Sequence, residues 1–312
     1  MNETIPRVPC RNLVNLGLAT AGLLTLGVVL SASAVAEDTA LPAQPQKQSE
    51  ATESVQPQVD QASTDKAAER REKIFAEATA ALDETANAMQ ALDDEKPEEA
   101  LAALERATGK LELILAREPD LALAPVDVEV VTYDLLASPD TVKAMIEEAE
   151  DYLESGEVQD ARALMVNLAS ELQFRTTSIP LATYPDAIKA VTPLIDEGKL
   201  DAANAALQTA LDTLVVTTEV LPLPKLRAER LLDNAEALAE NEERTEKDNQ
   251  TLSDLLSAAG DQLKLAELLG YGTKEAYQPM YEQLEQIKAK TRGGKGGEGW
   301  FEKIKEQLSD LL

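Results

Sequence analysis

Apolar residues recur at helical spacing through most of this chain. Ile74, Ala78, Ala81, Leu82, Ala88, Met89 and Leu92 follow an i, i+3, i+4 rhythm, which predicts an amphipathic helix. Asp93-Asp94-Glu95-Lys96-Pro97 breaks that helix. Pro97 suits the first turn of the next one, where a missing N–H costs nothing, and Glu98 and Glu99 favour the positive end of the helix dipole. Leu101, Leu104, Leu111, Leu113 and Leu115 carry this second helix to about Arg117. Ser138-Pro139-Asp140 starts another, with Ser138 as N-cap and Pro139 in the first helical position. Farther on, Thr251–Leu269 and Lys274–Lys290 read as amphipathic helices separated by Gly270-Tyr271-Gly272.

Three helix-turn-helix units share one pattern: Ala88–Leu111, Ala149–Leu172 and Val191–Leu214. Aligning Ala100, Ala161 and Ala203 brings Leu92, Leu153 and Ile195 into register. It also aligns Leu104 with Met165 and Leu207, and Leu111 with Leu172 and Leu214. The second and third turns carry Gly156 and Gly198, the residue a helix C-terminus prefers just beyond its end; the first lacks a glycine. The units are unequally spaced, which argues against a solenoid of fixed period. Three other stretches resist the helical reading. Val126–Val130 alternates with period two, while Arg175–Ile179 and Val215–Val220 are β-branched and polar. Pro180, Pro222 and Pro224 close the latter two and argue against central positions in a sheet. The fold class is therefore mainly α: packed antiparallel helical hairpins, broadly similar to tetratricopeptide units, with a few short strands or extended connectors.

The N-terminus reads as an address. Arg7 and Arg11 precede an apolar stretch from Leu13 to Leu30, and Ala34-Val35-Ala36 supplies a small-x-small cleavage pattern. Residues 1–36 are thus expected to be a signal peptide and the protein periplasmic or otherwise exported, without stable membrane insertion after cleavage. The alternative is an uncleaved N-terminal anchor facing the periplasm. Residues 37–65, rich in Gln, Ser, Thr, Ala and Pro, are expected to be a disordered spacer, because Leu41, Val55 and Val59 are their only bulky apolar residues. The body divides into a helical domain over 66–240, a C-terminal helical extension over 241–292, and a glycine hinge with an amphipathic terminal helix over 293–312. That last helix carries Trp300, Phe301, Ile304, Leu308 and Leu311 on one stripe, the candidate partner-binding residues; the other reading of the stripe is docking on the protein's own body, since exposed aromatics are costly and termini are often tied down.

Composition narrows the chemistry. The 312 residues include no histidine and one cysteine, Cys10, which falls inside the address. Histidine-based triads and imidazole metal sites are excluded. A formal charge of −28 opposes nucleic acid, whose binding relies on Lys and Arg at phosphates. The acidic pairs Asp93-Asp94, Glu98-Glu99, Glu147-Glu148 and Glu242-Glu243 lack the spacing of an EF-hand loop and read as solvated helix faces. Lys143 and Lys189 read as surface ion pairs, and Tyr133, Tyr184 and Tyr271 as packing residues. No catalytic, cofactor-binding or metal residue is assigned. The expected partners are other proteins or further copies of this chain.

The middle of the chain resembles a known family. Leu123-Ala124-Pro125-Val126-Asp127-Val128 looks like the proline-valine-aspartate segment of the YfdX family of bacterial secreted proteins. Leu153-Glu154-Ser155-Gly156, the run from Ile195 to Leu207, and Leu221-Pro222-Leu223-Pro224 follow in the family's order, over about Ala68 to Leu238. Pro180-Leu181 stands where that family carries Leu-Pro-Leu, and Pro185 and Pro193 enter the helix that follows, which puts its continuity in question. The resemblance implies a mostly helical periplasmic protein linked to stress responses, with chaperone-like and oligomeric behaviour. It implies no catalytic residues. The expected function is accordingly non-enzymatic protein binding in envelope stress, with a structural homo-oligomer as alternative and a carboxylate- or Lys-dependent enzyme behind both.

Overall fold

The computed structural model describes residues 48–311. The segment read as a signal peptide, and residues 37–47 of the expected spacer, lie outside the described residues. The protein is predominantly helical with one small three-stranded sheet.

A first core is built from two helical layers. Helices α2 (Ala76–Asp93) and α3 (Pro97–Arg117) form an antiparallel hairpin. Against it pack α6 (Tyr184–Lys189), α7 (Thr192–Asp196) and α8 (Leu200–Leu211). Ala88, Ala100, Ala103, Ala107 and Ala203 are buried at the crossings, where small side chains let the backbones approach. Leu92, Leu104, Leu111, Ile195 and Leu207 fill the space between the layers. Pro185 and Pro193 each sit in the first turn of a short helix, so the region splits into α6 and α7. Proline is tolerated only in the first turn of a helix, and each one therefore forces a new start.

The sheet runs in the order β1 (Leu123–Tyr133), β2 (Glu171–Pro180), β3 (Val215–Pro222), antiparallel throughout. The three period-two and β-branched stretches thus pair with one another. Contrary to the expectation from its proline, β2 is the central strand. Pro180 occupies the last rung, opposite Leu123, where the ladder ends and an absent N–H disturbs nothing inside it. One sheet face packs Leu172 and Phe174 against α1 (Glu50–Arg71) and α9 (Leu223–Glu240) through Val59, Ala67, Leu223 and Leu226.

The spacer expectation is corrected by α1. Ser49 caps it by accepting the Thr52 N–H at 3.2 Å, and Val55 and Val59 are fully buried despite Pro57 between them. Two valines are too few to form a core alone, but the face they need is supplied from far along the chain by α9 and α10 (Glu246–Leu268).

The second core gathers α1, α9, α10, α11 (Lys274–Thr291) and α12 (Glu302–Ser309) around Leu231, Leu256, Leu263, Tyr277, Leu284 and Phe301. Packing therefore does not change at residue 240. Helix α9 belongs with α10–α12, and the extension expected from 241 onward shares its core. The glycine run is likewise a packed connection. Arg244 donates to the carbonyls of Leu238, Ala239 and Lys295 at 2.8–2.9 Å, and a Cβ on Gly296 would lie 2.7 Å from the Ala239 oxygen.

Candidate functional site

The terminal stripe is occupied by the chain itself. Phe301, Ile304 and Leu308 are fully buried in the second core, Leu311 is nearly so, and Trp300 is half-buried with Lys290 5.4 Å from its ring. Lys305 anchors the helix to α9 through Asp233 at 2.7 Å and Glu236 at 2.9 Å. This corrects the partner-binding reading of Trp300, Phe301, Ile304, Leu308 and Leu311. A stripe that completes a core leaves no apolar face for a partner.

Another surface takes that place. Helices α4 (Pro139–Glu154) and α5 (Val158–Met165) form the middle of the three similar hairpins. Ser138 caps α4 by accepting the Thr141 N–H at 3.2 Å, with Pro139 in the first turn, as the residues predict. All three aligned alanines, Ala100, Ala161 and Ala203, are fully buried. The aligned larger residues divide. Leu92, Leu104, Ile195 and Leu207 are buried in the first core, because the first and third hairpins pack on each other. The second hairpin touches α10 through α4, with Val142 buried beside Leu265. Its own Leu153, Val158, Met165 and Val166 are 48%, 55%, 53% and 63% exposed. Four of the exposed large apolar side chains thus concentrate on one projecting hairpin. Isolated exposed leucines need no explanation, but such a concentration makes the hairpin the candidate surface. The sequence signal for it was present and pointed the other way, since the register with buried positions suggests burial.

A polar junction joins α1, α9 and the ends of β1 and β2. Arg227 on α9 is completely buried and donates to both carboxylate oxygens of Asp134, at 3.0 and 2.6 Å. Gln56 of α1 accepts from its Nε and Nη2 at 3.3 and 3.1 Å. The Ser170 hydroxyl donates to Asp134 at 3.1 Å, while the Ser170 N–H donates to the Tyr271 hydroxyl at 3.0 Å. Tyr271 in turn donates to Glu171 at 2.7 Å. Burial, reinforced by Glu171, pushes the Tyr271 hydroxyl well above its ordinary pKa, so it remains a donor. Asp134 opens onto a concavity shared with Gln48, Glu53, Gln56 and Leu136. The arrangement is an ion pair with its hydrogen bonds filled. These bonds tie α1, β1, β2 and α9 together.

Of the remaining candidates, the lysines, the acidic pairs and Tyr184 fall where their residue types suggest, while Tyr133 corrects its packing reading. Lys143 pairs with Glu147 at 3.5 Å, and Lys189 with Asp186 and Glu112 at 3.1 and 3.4 Å, all on the surface. The four acidic pairs are exposed. Tyr184 is buried and hydrogen-bonds Thr85 at 3.1 Å, whereas Tyr133 stands exposed on the sheet. Among the described residues no three Cys, Asp or Glu side chains converge as a metal site requires, and no helix is long and apolar enough to cross a membrane.

Residues 81–220 match the family model described as YfdX protein. The matched segment contains most of α2, everything from α3 to α8 and most of β3, including the α4–α5 hairpin. It leaves α1 and α9–α12 outside. Among solved structures the chain is similar to Salmonella Typhi YfdX, with 15% identity and a TM-score of 0.33 over 48% of this chain and 93% of that one. A score this low carries no structural argument. No curated protein matches the chain.

Proposed function

We propose, from the match of residues 81–220 to the YfdX family model, that this is a non-enzymatic, chaperone-like protein of the bacterial envelope that binds other proteins through its α4–α5 hairpin. One observation carries the reading: Leu153 and Met165 are exposed where the two similar hairpins bury their counterparts, and Val158 and Val166 are exposed on the same hairpin. Apolar side chains on a short helical hairpin suit the apolar segments of a partly unfolded polypeptide. Met165 adds a flexible, polarizable contact that adapts to varied shapes. The strongly negative charge keeps the protein and its complexes soluble. The signal-like pattern of residues 7–36 supports placement outside the cytoplasmic membrane. The residue inventory, without histidine and with Cys10 inside that pattern, supports the non-enzymatic part.

The test is light scattering from a thermally unfolding client at substoichiometric to equal amounts of the protein. Suppression of aggregation is expected, and the double variant Val158→Glu/Met165→Glu is expected to lose it. No suppression by the unaltered chain at low or moderate salt overturns the chaperone reading. Full suppression by the double variant moves the binding surface off the hairpin.

A further inference from the structure

Among the described residues strand β3 has a free outer rim, and its register shows which backbone groups lie there. Leu223 N–H donates to the Ser170 carbonyl at 2.9 Å, one rung beyond the Glu171–Pro222 pair. Bonded pairs alternate along an antiparallel ladder. Val215, Thr217, Glu219 and Leu221 therefore direct their backbone groups at β2. Val216, Thr218 and Val220 direct theirs away from it, at the rim. The side chains of these three share the sheet face opposite α1 and α9, and all three are exposed.

Natural sheets blunt such rims with bulges, charges, lysines or prolines. The opposite edge, β1, does so: its register shifts between Pro125 and Asp127, and Asp127 and Glu129 are exposed along it. From Val215 to Leu221, β3 has no proline, no lysine and an unbroken register. Glu219 is its one charge.

We infer that β3 pairs with β3 of a second copy of this chain, antiparallel about a two-fold axis at Thr218, which joins two three-stranded sheets into one of six. The axis sets Thr218 against its own copy as a fully bonded pair. It sets Val216 against the partner subunit's Val220 on the exposed face, so both valines are covered at once.

Charge favours a second copy over an arbitrary extended peptide. On the face toward α1, the same axis brings the partner subunit's Glu219 beside Thr217. That position borders a concavity lined by Lys66, Arg70 and Lys73 of α1 together with Thr176 and Pro125. The three cations recur along one side of the last turns of α1. Arg70 pairs with its own Glu219 and stacks 3.9 Å from the Phe174 ring centre, but its Nε is buried without a hydrogen bond. Lys73 holds only an exposed pair with Glu69, and Lys66 has no ion pair among the described residues. An incoming carboxylate thus meets three cations against two acids, Glu69 and Glu219, and the two-fold axis repeats the match. The repulsion between two chains of −28 each is screened beyond a Debye length of about 8 Å at 0.15 M ionic strength.

The inference does not depend on the role proposed for the α4–α5 hairpin. Its test is sedimentation of the full chain across the micromolar range at physiological salt, where a dimer is expected. Thr218→Lys places two like charges opposite each other at the axis and is expected to give a monomer with unchanged circular dichroism. In a Cys10→Ser background, Thr218→Cys is expected to form an intermolecular disulfide under mild oxidant, since a bonded pair sets the Cα atoms about 5.5 Å apart. Thr209→Cys, on the exposed face of α8, is expected not to. A monomer at every concentration overturns the inference. So does a dimer that survives Thr218→Lys and forms no disulfide through Thr218→Cys, which places the interface elsewhere.

Discussion

Met165 stands in its hairpin where Leu104 stands in the preceding one, yet Leu104 is 3% exposed and Met165 53%. The difference arises from what each hairpin faces. The first hairpin meets α6–α8, whereas the second meets α10 along one helix only. Leu104→Ala is therefore expected to cost about 2–5 kcal/mol, through lost burial and a cavity. Met165→Ala is expected to stay within about 0.5 kcal/mol, as surface changes do, while weakening client capture. Urea denaturation beside the aggregation assay separates the two effects.

Glu95 holds the turn position that Gly156 and Gly198 hold in the other two hairpins. Its φ is +56°, against +78° and +71° for the glycines. The hydrogen bonds match as well: Lys96 N–H reaches the Ala91 carbonyl at 2.8 Å, as Glu157 reaches Tyr152 and Lys199 reaches Leu194. A side chain in this left-handed conformation is strained. Glu95→Gly is expected to stabilise the protein by up to about 1 kcal/mol, read as a raised unfolding midpoint. An unchanged or lowered midpoint contradicts the argument.

Arg227 is fully buried and depends on Asp134, whose side chain is 27% exposed. Asp134→Ala leaves that guanidinium with only Gln56 and is expected to cost about 3 kcal/mol or more. Adding Arg227→Met removes the orphaned charge and is expected to recover much of the loss. A double variant as unstable as Asp134→Ala would show that the pair's role is positional.

Glu229 lies on α9 with its carboxyl held above the ordinary range by burial, which outweighs the nearby Lys225 and Arg230. A raised carboxyl pKa contributes stability that is fully present below the unfolded pKa and lost as pH rises through the folded one. Glu229→Gln is therefore expected to be more stable than the unaltered protein at neutral pH. That advantage should shrink to nothing as pH falls below the carboxylate range. Thermal unfolding across pH checks both the sign and the window.

Phe301 is fully buried between the helices of the second core. Phe301→Ala is expected to cost about 3–5 kcal/mol in denaturant unfolding. It should also expose the preceding glycine segment to proteolysis. A surface-displayed aromatic would show neither effect.

Much of this architecture is legible in the residues because it is local. The Ser138–Pro139 start, the Pro97 start, the three hairpins and the three strand-forming stretches all follow from capping, proline geometry and side-chain period. The misreadings share one cause. Val55 and Val59 look too sparse to fold, β2 looks barred from the centre, and the terminal stripe is left between a partner and the chain's own body. Each of those judgements needs a partner surface that lies far away in sequence.

Taken alone, the sequence determined most of the helices and their capped starts, the three strand-forming stretches, and the resemblance of the middle segment to the YfdX family. Tertiary structure decided which apolar faces are satisfied. It used the stripe of α12 and the valines of α1 to complete a second core, and it left the middle hairpin's stripe and the β3 rim open. The physical reason is that helical period and capping act over a few residues, whereas burial is a relation between surfaces that meet only after the chain has folded.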